Sequence, residues 1–193
     1  MRPETEFWEI EWHERIAILR LLSDDGTNRL TIARVRALTE AVRGLALERP
    51  SKLVITGNHR FFSAGADLHE IASLTGPEAL RFARVGQGLI KLVADFPAPT
   101  VAAVHGYCMG GGLDLALACS QRIAGPHAVF GHRGAALGLI TGWGGTQRLS
   151  RIVGKARAVE VFIAAEKLNA ARALAFGLVQ AVVEDPLRAA LIS

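Results

Sequence analysis

The chain has 193 residues, half of them hydrophobic and 21% charged, the balance of a globular protein with one substantial core. Its two cysteines, Cys108 and Cys119, lack metal-ligand spacing and lie in apolar surroundings, which points to a reducing, cytoplasmic setting rather than a disulfide scaffold. The net charge of +4 is scattered over arginines without interleaved aromatics, and no apolar run approaches the roughly 20 residues that span a bilayer, so neither nucleic-acid nor membrane partners are expected.

The opening MRPETEFWEIEW is charged where the apolar region of a secretory leader would lie, so none is expected. Phe7, Ile10 and Trp12 alternate with glutamates, and IAILRLL follows the pair Glu14-Arg15, the pattern of two strands joined by a tight turn. After the loop DDGTN, Thr31 is placed to cap a helix whose apolar residues Ile32, Val35, Leu38, Val42 and Leu45 keep helical spacing up to Pro50. KLVIT reads as a short buried strand, and FFSAGADLHEI leads from a loop into a new helix. TGPEALRFARVGQGLIKLVADF is helical, with Pro77 near its start and FPAP after its end. TVAAV is a strand, the glycine triplet of HGYCMGGG opens the buried helix LDLALAC, and RIAG and AVFGH are strand-like. The loop GLITGWGGT leads into the helix QRLSRIVG. KARAVEVFIAAEK and NAARALAFG are helical, and LVQAVVE is a last strand. Strands and helices alternate throughout without repeat or linker, which predicts a single α/β domain over 1–193 with largely parallel pairing.

Several chemistries find no support. No serine stands in a GxSxG elbow, VGKA lacks the hydroxyl and spacing of a phosphate loop, and GWGGTQ fails a dinucleotide fingerprint at its last glycine. The six histidines have no metal-ligand spacing, so no metal is expected. Two glycine-containing turns remain, FFSAGADL at 61–68 and HGYCMGGGLDL at 105–115, each between a strand and a helix. Both present backbone N–H groups at a helix N-terminus, and two such amides converging on one oxygen make an oxyanion hole. The bland alternative is that the glycines only permit tight turns. An acid, Asp114, follows the second turn; its place in a helix's first turn is favoured by the dipole alone, so position does not by itself separate function from structure.

Three stretches, FFSAGADLHEI, FPAPTVAAVHGYCMGGGLDLALACS and FGHRGAALGLITGWGGTQRLSRIVGKARA, occur in an order and at separations that resemble the crotonase superfamily of enoyl-CoA hydratases and isomerases. The resemblance implies a spiral of repeated ββα units, usually assembled as trimers or hexamers, acting on acyl-CoA thioesters. It needs no cofactor beyond the coenzyme A of the substrate. It implies an enolate held by two backbone amides, which carry over to Ala64 and Gly111, and a substrate wall formed by Ala64, Gly65, Ala66, Asp67 and Leu68 beside the CoA adenine. In the hydratases two glutamates hold one water; the first corresponds here to Asp114 and the second to Gly134, which has no side chain. Some isomerases of the superfamily carry aspartate after the same triplet. A single matched acid, Asp114, suits double-bond isomerisation or slow hydration better than efficient hydration, and a non-catalytic acyl-CoA-binding module is the alternative. His132 has the chemistry to stand in for the missing acid, but it is expected at a strand end pointing elsewhere. The chain stops at PLRAALIS where family members continue with further helices, so the C-terminal region is expected to be shortened, with a more open site and a weaker trimer contact.

Overall fold

The computed structural model describes residues 7–192; the charged opening up to Glu6 lies outside them. An antiparallel hairpin of β1 (Trp8–His13) and β2 (Ile16–Leu21) starts the fold, followed by the short β3 (Arg29–Leu30) and helix α1 (Ile32–Glu48). Thr31 caps α1 as its sequence position predicts, its hydroxyl accepting from the Arg34 N–H at 3.3 Å. The helix buries Val35, Leu38, Val42 and Leu45 on one face and ends at Arg49, in the left-handed region immediately before Pro50.

Three successive units then repeat one plan. The first is β4 (Lys52–Thr56), β5 (Phe61–Ser63), the two-residue β6 (Gly65–Ala66) and helices α2 (Leu68–Ala72) and α3 (Gly76–Ala94). The second is β7 (Thr100–Val104), β8 (Tyr107–Met109) and α4 (Gly111–Ala118); the third is β9 (Gln121–Ala124), β10 (Val129–Gly131) and α5 (Gly145–Val153). Helix α6 (Lys155–Ile163), β11 (Leu168–Asn169), α7 (Ala170–Ala175), β12 (Ala181–Val182) and α8 (Pro186–Ile192) complete the described residues.

Each unit gives its first strand to a six-stranded sheet, ordered β1-β2-β4-β7-β9-β12, and its second to a four-stranded sheet, ordered β11-β10-β8-β5. Pairing in the large sheet is parallel beyond the first hairpin. This is the ββα spiral that the resemblance implies. KLVIT and TVAAV carry continuous apolar stretches, Leu53–Ile55 and Val101–Val104, because both faces of the large sheet are covered. Helices α1, α3 and α4 contribute to the main core on one face, while α8 seats Ala190 against Ile18, Val54, Val101 and Ile123 on the other.

Stacking the units in register has a functional consequence. The turns that follow β5, β8 and β10 fall at the same point of successive coils, so three segments far apart in sequence share one edge. Helix α4 is buried along its whole length. At its end the buried Arg122 donates from Nη1 to Ala116 O at 3.5 Å and Cys119 O at 2.7 Å, and its Nε ties this end to Leu178 O at 2.7 Å. Cys108 and Cys119 are buried free thiols, and desolvation pushes Cys119 up to about 12, so both act as small apolar fillers. No helix among the described residues is long and apolar enough to cross a membrane.

Candidate active site

The edge shared by the three turns encloses a cleft of about 320 Å³. Its walls include Ala64, Ala66, Leu68 and Phe82 from the first unit, Met109, Gly110, Gly111 and Asp114 from the second, and His132, Gly134, Leu139, Thr141 and Trp143 from the third. The volume and the predominantly apolar lining with a few converging polar groups are those of a small-molecule site.

The first turn is held from a distance. Loop 23–28 pins it through Asn28, whose side chain donates to Phe61 O (3.1 Å) and Phe62 O (3.2 Å), while Ser63 Oγ donates to Asn28 O at 2.7 Å. The Ala64 N–H donates to Thr27 O at 2.9 Å. That bond corrects the sequence-based expectation for Ala64: a backbone N–H carries one proton, and this one is already directed away from the cleft. The amide that meets the second turn is that of Ala66. A β-carbon on Gly111 would stand 3.4 Å from the Ala66 nitrogen, and one on Gly65 would stand 3.0 Å from the Gly111 nitrogen and 2.5 Å from Met109 O. Gly65 and Gly110 have φ of +90° and +51°, so both turns rely on glycine for conformation as well as closeness. Asp67 caps α2, its Oδ1 accepting from His69 and Glu70 N–H at 2.9 and 3.0 Å; neither it nor Gly65 lines the cleft, whereas Leu68 does.

Asp114 is 1% exposed, in the first turn of α4. Its Oδ2 accepts a short hydrogen bond from the Thr141 hydroxyl. The first residue of α5 also touches it: a β-carbon on Gly145 would lie only 2.0 Å from Asp114 Oδ1. The carboxylate therefore lies where two helices present their positive ends, which offsets part of the cost of burying it.

His132 overturns its expected placement. One residue past β10, it turns inward, is 4% exposed, lines the cleft and brings Nε2 to 3.1 Å from Asp114 Oδ1. Despite that distance, neither Nε2 nor Oδ1 makes a hydrogen bond within the protein. The Phe162 ring of α6 supports the imidazole, with centroids 5.0 Å apart. Gly134 also lines the cleft, but a β-carbon there would lie 2.5 Å from Leu139 O, so this turn is shaped around the absence of a side chain.

Sequence reasoning missed Thr141 and Trp143, which it placed only in the glycine-rich loop before α5. Trp143 is 4% exposed and packs on Phe82 at 5.3 Å. It needs glycine on two sides, since β-carbons at Gly86 and Gly111 would approach its ring to 2.1 and 2.5 Å. Gln87 fixes the loop to α3 by donating to Gly142 O at 2.7 Å. The available signal was a tryptophan set among glycines in a loop, with the small residues Gly86 and Gly111 on two helices.

The cleft is therefore mainly apolar, walled by the turns that carry Ala66 and Gly111 and by the buried carboxylate of Asp114. The chain matches the enoyl-CoA hydratase/isomerase family over residues 11–189 and belongs to that family. It is 46% identical over 134 residues to the probable enoyl-CoA hydratase of Bacillus subtilis (strain 168), covering 69% of this chain and 52% of that protein. It is 36% identical over 177 residues to the crotonyl-CoA hydratase of Syntrophomonas wolfei subsp. wolfei, covering 91% and 68% respectively. The chain thus spans about half to two thirds of the length of these curated relatives. Among solved structures, Pseudomonas aeruginosa DspI superposes with a TM-score of 0.93 at 34% identity, covering 100% of this chain and 80% of that one.

Proposed function

We propose that this domain binds an acyl-CoA thioester and works on its C2–C3 bond through an enolate, as an enzyme of the hydratase/isomerase type. The observation that carries this is the meeting of Asp114, buried and with Oδ1 unbonded, with two backbone turns that wall the same cleft. As charge develops on the thioester oxygen, the N–H groups of Ala66 and Gly111 donate to it, and Gly111 adds the positive end of α4. Donors fixed in advance in this way are worth about 3–4 kcal/mol each at the transition state. Asp114 moves the proton. The stretch from Ala64 to Leu68 guides the CoA moiety out of the cleft, and no resident cofactor takes part. The hydratase names of the relatives support the choice of substrate.

The test is incubation with short and medium trans-2-enoyl-CoA and 3-enoyl-CoA, following the conjugated thioester absorbance, with Asp114→Asn as control. Turnover that falls by about 100-fold or more in the variant is expected for loss of the acid–base group. A second reading, acyl-CoA binding without catalysis, is favoured by Gly134, where the second acid of the two-carboxylate arrangement is lacking. Tight binding without turnover, unchanged in Asp114→Asn, would select it.

A further inference from the structure

Gly134 removes one acid from the cleft, and the same segment brings another group in. We propose that His132 is the second acid–base residue of this site and delivers the proton to C2 of the substrate. The inference rests on the acyl-CoA reading above and deepens it.

Three observations point to it. His132 Nε2 and Asp114 Oδ1 face each other at 3.1 Å, both side chains almost fully buried, both lining the cleft and both without a hydrogen bond inside the protein. Buried polar atoms are ordinarily paired, so two unbonded ones side by side in a cleft mark a place for a bound group. Next, the surroundings are shaped for this pair. Phe162 supports the imidazole, Thr141 fixes the other carboxylate oxygen, and Gly145 lacks the β-carbon that would stand 2.0 Å from Oδ1 and 3.0 Å from Nε2. Finally, no side chain at Gly134 competes for the space, because a β-carbon there would meet the Leu139 carbonyl.

The hydration step then balances with the groups present. An O–H bond of water breaks, its proton passing to Asp114 while the oxygen bonds to C3. The C2=C3 electron pair moves to the thioester oxygen as an enolate, held by the two amides. The enolate collapses by taking a proton at C2 from protonated His132 Nε2. The proton on Asp114 crosses the 3.1 Å gap to His132, and both groups return to their starting states. Among the residues that line the cleft with His132, the charged ones are Asp114 from α4 and Arg133 in its own segment. Phe162 from α6 and Gly145 from α5 carry no charge, and Cys108, behind Asp114, is held neutral by burial.

The experiment compares wild type, His132→Gln and Asp114→Asn for thioester binding and for hydration of a short trans-2-enoyl-CoA across pH 5–9. The expected result is a bell-shaped wild-type profile, with His132→Gln binding substrate normally, hydrating about 100-fold or more slowly, and losing the alkaline limb. Hydration within threefold of wild type in His132→Gln overturns the proposal. So does a slow variant that keeps both limbs, since that marks a purely structural role. If His132→Gln fails to fold, His132→Asn takes its place and is read by the same rate and binding criteria. Wild type that neither binds nor turns over the thioester refutes the acyl-CoA reading itself, whereas an active wild type with an unaffected His132→Gln refutes only the role of His132.

Discussion

Gly145→Ala tests whether the position of Asp114, rather than its presence alone, sets the rate. Gly145 is the first residue of α5 and its φ is not in the left-handed region, so alanine suits the backbone and the effect is steric. The new β-carbon would stand 2.0 Å from Asp114 Oδ1, 2.9 Å from Thr141 Cγ2 and 3.0 Å from His132 Nε2. Ordinary contact begins near 3.4 Å, so the carboxylate must withdraw by about 1.4 Å. A displacement of about 1 Å at a catalytic group costs on the order of 100-fold in rate. Overpacking of this kind costs about 1–3 kcal/mol, which in a chain of this size lowers Tm by about 2–4 °C per kcal/mol. The assay is steady-state kinetics on trans-2-enoyl-CoA beside thermal unfolding. The expected outcome is kcat lowered by about 100-fold with KM nearly unchanged, because the amide wall is untouched. A folded Gly145→Ala protein that keeps kcat within threefold of wild type would refute the reasoning.

Three further outcomes follow from the same geometry. Thr141→Val removes the hydroxyl that donates to buried Asp114 and should cost about 1.5–3 kcal/mol in urea unfolding, with a larger effect on kcat than on KM. Gly86→Ala drives a β-carbon to 2.1 Å from the Trp143 indole and should destabilise by about 1–3 kcal/mol, while Gly88→Ala, with nothing within 4 Å, should stabilise α3 by about 0.5–1 kcal/mol. Asp25, in the loop that pins the first turn, is lowered from 3.8 to about 2, chiefly by the Thr27 N–H and then by its hydroxyl. Because the folded value is the depressed one, its stabilisation is complete above about pH 4 and is lost as pH falls through about 2. Urea midpoints measured between pH 5 and 2 should therefore fall less steeply in Asp25→Asn than in wild type.

Much of the fold was legible because its signals are local. The Thr31 cap, the twice-buried strands KLVIT and TVAAV, and the glycine turns before helices depend on neighbours within a few residues. The repeat of strand, strand and helix then stacks those turns, so Gly111, Ala66 and Asp114 meet at one edge. What escaped detection depends on distant partners. The Ala64 N–H is taken by the Thr27 carbonyl, which belongs to a loop far from it in sequence. The direction of His132 is set by the segment between β10 and α5, where the Leu137 and Leu139 N–H groups donate to the Gly134 carbonyl and close a tight turn. Thr141 and Trp143 lie in the same segment and have no periodicity to betray them. Their roles emerge only once Gly86, Gly111 and Gly145 are seen to leave room for them.

The central claim, an enolate formed in this cleft with Asp114 as the proton carrier, is tested most directly by proton NMR in deuterium oxide. With a short trans-2-enoyl-CoA, wild type should place a solvent deuterium at C2 of the product with each turnover, and Asp114→Asn should bind the thioester equally well yet incorporate it about 100-fold more slowly. Saturating binding of the thioester by wild type with no deuterium incorporated at C2 would contradict the account.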